Sequence, residues 1–269
     1  MEQIVGAVPR LEAQQSHQDF VSIAAPSSVL VDIVAARKLV KRGETAASYC
    51  GPECAVITTT TVSDDQLNRV SWQRELELVE AFAPDYHIPT DVATYIEHTP
   101  AERRENVVRA MEGTVWMDKQ LRKRSLPTDI VPLVKGITPA EREICYQTYG
   151  ELGVDQCAFY GAQYLTGGPR LTELQEDVTA VAAELEQTDG TSDVTILLIG
   201  LLSPLYLSRM PDAVVAASGL RWVHEVEPRS ASPGEIQEQY ATMAAAVTDA
   251  LGGSNSTVDV SAGTGPPEA

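Results

Sequence analysis

Strand-length apolar runs alternate along this chain with longer stretches in which apolar residues recur every three or four positions. The clearest instance lies at 128–168, TDIVPLVKGITPAEREICYQTYGELGVDQCAFYGAQYLTGG. Residues 130–134 are an apolar run cut off by Lys135 and Gly136. Thr138, Pro139 and Glu141 then open a helix as an N-cap, a first-turn proline and a nearby acid do. That helix ends at Gly153, and 154–160 is the next apolar run, closed by Gly161. Two strands joined by one helix imply a parallel pair with a right-handed crossover.

The same rhythm extends in both directions. The β-branched run 55–61 predicts a strand, and 63–82 a helix with Leu67, Val70, Leu76 and Val79 at helical spacing. A short strand is expected at 86–89 and a long helix from Pro100 to about 123, with Val107, Val108, Met111, Val115 and Trp116 inward. Further on, the pattern predicts a helix at 171–187, a strand at 194–201, a helix from Ser203 to about 219, a strand at 220–224 and a helix at 233–251. In the first fifty residues it suggests a strand at 20–24 and a helix at 29–41. Six or seven strands alternating with helices, without an internal repeat, predict an α/β fold. Its expected form is a parallel (β/α) barrel of the TIM type, whole or incomplete. An open doubly wound sheet is the competing architecture, but no Gly-rich phosphate loop follows a first strand. The expected organisation is a βα segment at 1–50, a barrel body at 51–251 and a disordered, Gly/Ser/Thr/Pro-rich tail at 252–269.

Charge changes the picture of the environment. Acidic residues outnumber basic ones 38 to 20, a net charge of −18, and only five of the basic residues are lysines. A carboxylate-rich surface suits a protein that stays soluble in very high salt, where screening relieves self-repulsion. It argues against nucleic acid at low salt, an objection that loses its weight in molar salt. The N-terminus lacks a basic start followed by an apolar core, and no apolar run has the length of a membrane helix, so the cytoplasm is the expected compartment. Four cysteines make no disulfide framework. Cys50 and Cys54 form CGPEC, but no second pair at ligand spacing follows, so neither a metal nor another cofactor is expected.

Candidate chemistry gathers where strands end. Lys135, Tyr160 and Gln163 follow two strands, and Asp91 follows a third. In parallel α/β folds ligands are held there.

Four segments, in order, resemble the tRNA-guanine transglycosylase family and its DNA-modifying relatives. They are ELELVEAFAPDYHIPTD (75–91), ERRENVVRAMEGTVWMDKQL (102–121), residues 130–165, and LLIGLLSPLYLSRMPDAVVAASGLRWVHE (197–225), spread over a span of about 150 residues. The resemblance implies a (β/α)8-type barrel that exchanges guanine for a 7-deazaguanine base in tRNA or DNA through a covalent aspartate. On it, Asp91 matches the aspartate that reads the base edge. Lys135, beside Gly136, stands where the family has glutamine, and Gly161 after Tyr160 matches a glycine that brings backbone to the base. The nucleophile would fall near His224 or Glu225. Two family features have no counterpart: the early Asp-Ser-Gly-Gly run, replaced by AVITTTTVS at 55–63, and the zinc-binding cysteine cluster.

Three expectations follow. One is a diverged base-exchange enzyme, with Glu225 and His224 catalytic and Asp91, Lys135, Gly136, Tyr160, Gly161 and Gln163 binding the base. The second is a non-catalytic relative that binds a base, a nucleic acid or a catalytic partner subunit, as a homo- or hetero-oligomer. The third is an unrelated barrel enzyme in which Asp91, Lys135 and Glu225 do acid–base or Schiff-base chemistry.

Overall fold

The computed structural model describes residues 3–165, 168 and 170–252. The chain begins with β1 (Gly6–Leu11), α1 (Gln15–Ala24), β2 (Ser28–Asp32), α2 (Ile33–Lys41) and α3 (Ala46–Cys50). Next come β3 (Ala55–Thr59), α4 (Asp64–Leu67), α5 (Trp72–Phe82), β4 (Tyr86–Ile88) and α6 (Pro100–Lys123). They are followed by β5 (Asp129–Ile130), α7 (Pro139–Leu152), β6 (Gln156–Tyr160), a 3₁₀ turn (Ala162–Leu165) and α8 (Leu171–Gln187). The chain then runs through β7 (Thr195–Ile199), α9 (Pro204–Leu207), β8 (Val214–Gly219), α10 (Arg221–Val226) and α11 (Pro233–Gly252).

All eight strands are parallel, in the order β5-β4-β3-β2-β1-β8-β7-β6. The two ends of that order meet. A parallel bridge joins Leu133, just past β5, to Ala158 of β6, and Ala158 N donates to Pro132 O at 2.8 Å. The sheet therefore curls into a (β/α) barrel, as its sequence rhythm predicts. Alternate residues along each strand face opposite sides of the sheet. One set, with Val8, Leu30, Ile57, Ile88, Leu133, Ala158, Leu197 and Ala216 as members, forms an interior cluster fed by seven strands and by the segment just past β5. The other set, including Val29, Val31, Val56, Cys157 and Leu198, packs against the helices.

Several elements differ from expectation. Residues 20–24 are the end of helix α1, whose buried His17, Phe20 and Val21 make a helical stripe. The helix expected at 29–41 is a strand followed by a helix. Asp32 ends β2 and caps α2, its Oδ1 accepting from Val34 N at 3.0 Å and Ala35 N at 2.8 Å. Strand β1 was not anticipated at all, because GAVPRL carries a proline and proline is unfavourable inside a ladder. The helix expected at 63–82 is broken into α4 and α5 by residues 68–71, and Ser71 caps the second piece.

Near the C-terminus, the helix expected from Ser203 to 219 stops at Leu207, and Val214–Gly219 is β8, lodged between β1 and β7. The strand expected at 220–224 is helix α10. In α6 the inward stripe is Val107, Ala110, Met111, Thr114, Met117 and Leu121, whereas Val115 is 38% exposed. The barrel thus has eight strands instead of six or seven, and residues 6–32 supply two of them. The expected tail falls, from 253 on, outside the described residues. No helix among the described residues is long and apolar enough to cross a membrane.

The charge excess gives a first testable result. With a net charge of −18, the folded state carries self-repulsion that added salt screens. The melting temperature should rise by several degrees between dilute buffer and molar KCl, followed by circular dichroism. A flat or falling value would count against adaptation to high salt.

Candidate functional site at the barrel mouth

A polar ring forms where the interior-facing rows run out at the C-terminal ends of the strands. Two residues beyond the interior positions Val8, Leu30, Ile57, Leu133, Ala158 and Ala216 stand Arg10, Asp32, Thr59, Lys135, Tyr160 and Ser218. The period of two aims each of them at the same mouth. Arg10 Nη2 and Asp32 Oδ2 pair at 2.9 Å across β1 and β2. Lys135 Nζ and Asp91 Oδ1 pair at 2.7 Å across the β4 and β5 ends, each side chain 13% exposed. Tyr160 packs against the interior cluster. Burial pushes its hydroxyl pKa up; Arg10 pulls it down and Asp91 pushes it up again, so the phenol stands within electrostatic reach of both ion pairs.

Asp91 reaches the ring through a local irregularity. After Ile88 the alternation breaks at Thr90, whose φ of 46° lies in the left-handed region. Asp91 N then donates to Thr60 Oγ1 at 2.9 Å. A cavity of about 570 Å³ opens beside it, lined by Asp91, Thr90, Glu75, Trp72, Trp116 and Arg109 among others.

The glycines singled out by the sequence have packing roles. Gly136 has a φ of +101°, and a Cβ there would sit 2.7 Å from Glu141 Cβ. Glu141 Oε2 accepts from Ile137 N at 2.8 Å and Thr138 N at 3.2 Å, so Gly136 lets the chain close onto the start of α7. Gly161 is buried against Leu174 and Leu198, and its N–H donates to Ile199 O at 2.7 Å. That donor is committed to the barrel and is not offered to a ligand.

The remaining candidates lie further out. Gln163 is exposed on the 3₁₀ turn. Glu225 is on α10 and pairs with Arg221, whose Nη1 donates to Ser203 Oγ at 2.9 Å past the end of β7. His224 is exposed and lines a separate cavity of about 390 Å³ with Glu12, His17 and Arg229. Because the chain is helical from Arg221, the last strand end carries Ser218. Its Oγ is buried without a hydrogen-bond partner among the described residues. Asp91, Lys135 and Tyr160 are therefore brought together, and His224 and Glu225 do not join them.

Arg10, Asp32 and Ser218 escaped the sequence reading because their strands did. The signal for Asp32 was present, since an acid closing the run SVLV has the form of a strand end that caps the next helix. Among the described residues no group of three or more His, Cys, Asp or Glu side chains could hold a metal ion. All four cysteines are buried free thiols, and burial pushes Cys145 up to about 11. Compared with known proteins, the chain matches no family model and no curated sequence.

Proposed function

We propose that the barrel mouth binds a guanine-like base, including 7-deazaguanines, with Asp91 and Lys135 reading its hydrogen-bonding edge. The observation that carries this reading is the Asp91–Lys135 pair at 2.7 Å among the strand ends. A carboxylate accepts only and an ammonium donates only. Side by side they complement the guanine edge, whose ring N–H and amino group donate and whose carbonyl accepts. Lys135 alone could not replace a glutamine there; Lys135 next to Asp91 supplies both senses. Tyr160 adds a ring wall and a hydroxyl.

On this reading the protein is a diverged transglycosylase-like barrel that holds a base, free or within tRNA or DNA, without forming a covalent bond to it. Covalent exchange needs an accessible carboxylate nucleophile. Asp32 is already held by Arg10 and by two backbone N–H groups, and the end of β8 offers a serine. Base exchange with Glu225 as nucleophile is the second reading. It is favoured by the Arg221 link from Glu225 to Ser203, past the end of β7.

Calorimetric titration in molar KCl tests the proposal. Guanine or 7-deazaguanine should bind, and adenine, whose edge has the opposite pattern, should bind more weakly. Asp91→Asn turns one acceptor into a donor facing the ring's own N–H groups. It should weaken guanine binding at least about tenfold, which is about 1.4 kcal/mol, with the melting temperature within a few degrees of wild type. If the wild type binds none of these bases, the reading fails.

A further inference from the structure

A hydroxyl–imidazole–carboxylate chain runs through the layer between the sheet and α5. Thr58 Oγ1 meets His87 Nδ1 at 2.8 Å, and His87 Nε2 meets Glu75 Oε1 at 2.9 Å. Its order is that of a nucleophile triad, but Thr58, His87 and Glu75 are 2%, 0% and 2% exposed, so no substrate reaches the hydroxyl. Burying a carboxylate is costly unless donors satisfy it. Glu75 Oε1 has two donors: His87 and, at 3.0 Å, the backbone N–H of Thr90.

We propose that Glu75 is a positioning residue for Asp91, acting by holding the Thr90 turn. Thr90 is the left-handed residue that turns the chain out of the β4 alternation, a conformation threonine adopts only under constraint. It is held from two sides. Glu75 accepts its N–H from the α5 side. On the α6 side its side chain presses on Gly113, where an added Cβ would lie 2.3 Å from Thr90 Cγ2. With the turn fixed, Asp91 N reaches Thr60 Oγ1 and the carboxylate reaches Lys135 Nζ. His87 and Thr58 orient Glu75, which anchors the site to β4 and β3.

The functional consequence rests on the base-binding reading, but the geometry can be followed with no base present. The reactivity of Lys135 toward acetic anhydride, followed by peptide mass spectrometry, reports the ion pair; Lys38, Lys41, Lys119 and Lys123 serve as internal references. Asp91→Asn sets the labelling rate of an unpaired Lys135. The double variant Glu75→Leu/His87→Leu removes both buried partners together, which is far less disruptive than orphaning one. It should label Lys135 at least about threefold faster than wild type, as Asp91→Asn does, because the charge-assisted hydrogen bond is lost.

Glu75→Gln keeps both the shape and an acceptor for Thr90 N and should label at the wild-type rate, whereas Glu75→Met, which fills the same space without an acceptor, should label as fast as Asp91→Asn, an outcome a merely space-filling role would not give. Gly113→Ala moves the same turn from the opposite side and should also speed Lys135 labelling, which keeps the test open if the double variant does not fold. Wild-type labelling of Lys135 in folded Gly113→Ala or in the folded double variant would overturn the proposal. So would Glu75→Gln labelling as fast as Asp91→Asn. A wild type that binds no base would sink the functional reading and leave the labelling result standing.

Discussion

Trp222→Ala should lower the melting temperature by roughly 10 °C, because it empties the joint between α1, α10 and the end of β1. Trp222 is fully buried, stacked on Phe20 with ring centroids 3.9 Å apart and edge-on to His17 at 4.9 Å. Its indole N–H donates to Arg10 O at 3.0 Å. Truncating a buried tryptophan costs about 3–5 kcal/mol, transfer and cavity terms together. At about 2–4 °C per kcal/mol for a chain of this size, that is a large shift. Trp222→Phe keeps the stack on Phe20 and loses the hydrogen bond, so it should fall by only about 1–2 kcal/mol. Thermal melts of the three proteins in molar KCl decide the matter. A Trp222→Ala melting point within two or three degrees of wild type would mean that the joint relaxes to fill the space. The same contact bears on the site, since Arg10 is one of the mouth's two cations and its carbonyl is tied to this indole.

Gly200→Ala should be comparably severe, and for a backbone reason. Gly200 has a φ of +108°, which L residues rarely adopt. An added Cβ would lie 2.5 Å from Ala162 N and 2.6 Å from Ala162 Cα, atoms that cannot swing aside as a flexible side chain would. Strain and clash together should cost about 2–4 kcal/mol. Gly200 N also donates to Ser218 O at 2.7 Å, so the residue stitches β7 to β8 just beneath the mouth. Relief of the clash must push the turn after β6 outward, and Tyr160 with it. The expected result is a lower melting temperature together with weakened guanine binding, whereas Trp222→Phe should leave binding nearly unchanged. A fully stable Gly200→Ala protein would show that the β6–β7 crossing has slack that the geometry denies.

Some of this molecule can be read directly from local chemistry. Helix α7 is announced by Thr138, Pro139 and Glu141, and the structure closes Glu141 back onto the Ile137 and Thr138 amides. Helix α6 begins at Thr99 and Pro100, with Glu102 Oε2 accepting from Thr99 N at 2.8 Å. Strands β3, β6 and β7 are short runs of mostly apolar or β-branched residues, nearly all of them buried, because parallel strands are covered on both faces. Caps, prolines and burial on both faces act over a few residues, so they leave a trace in the sequence. The alternation of such elements was enough to predict the barrel, and Asp91, Lys135 and Tyr160 could be named as strand-end residues.

The sequence by itself thus determined the element rhythm, the acidic surface and three members of the mouth. Only the tertiary structure decided which short apolar segments became strands. GAVPRL and VVAASG have weak local preference for a ladder, through a proline in one and small residues in the other; neighbours on both sides make them β1 and β8. It also decided that Arg10 and Asp32 complete the ring and that His224 and Glu225 stand apart on a helix. Closure of the ring rests on a parallel bridge between Leu133 and Ala158, which joins the segment just past β5 to β6. The direction of Asp91 depends on Glu75, fifteen residues before Thr90, and on Gly113, twenty-three after it. Contacts at such separations depend on where the barrel brings segments together, a property of the closed sheet that no local pattern encodes.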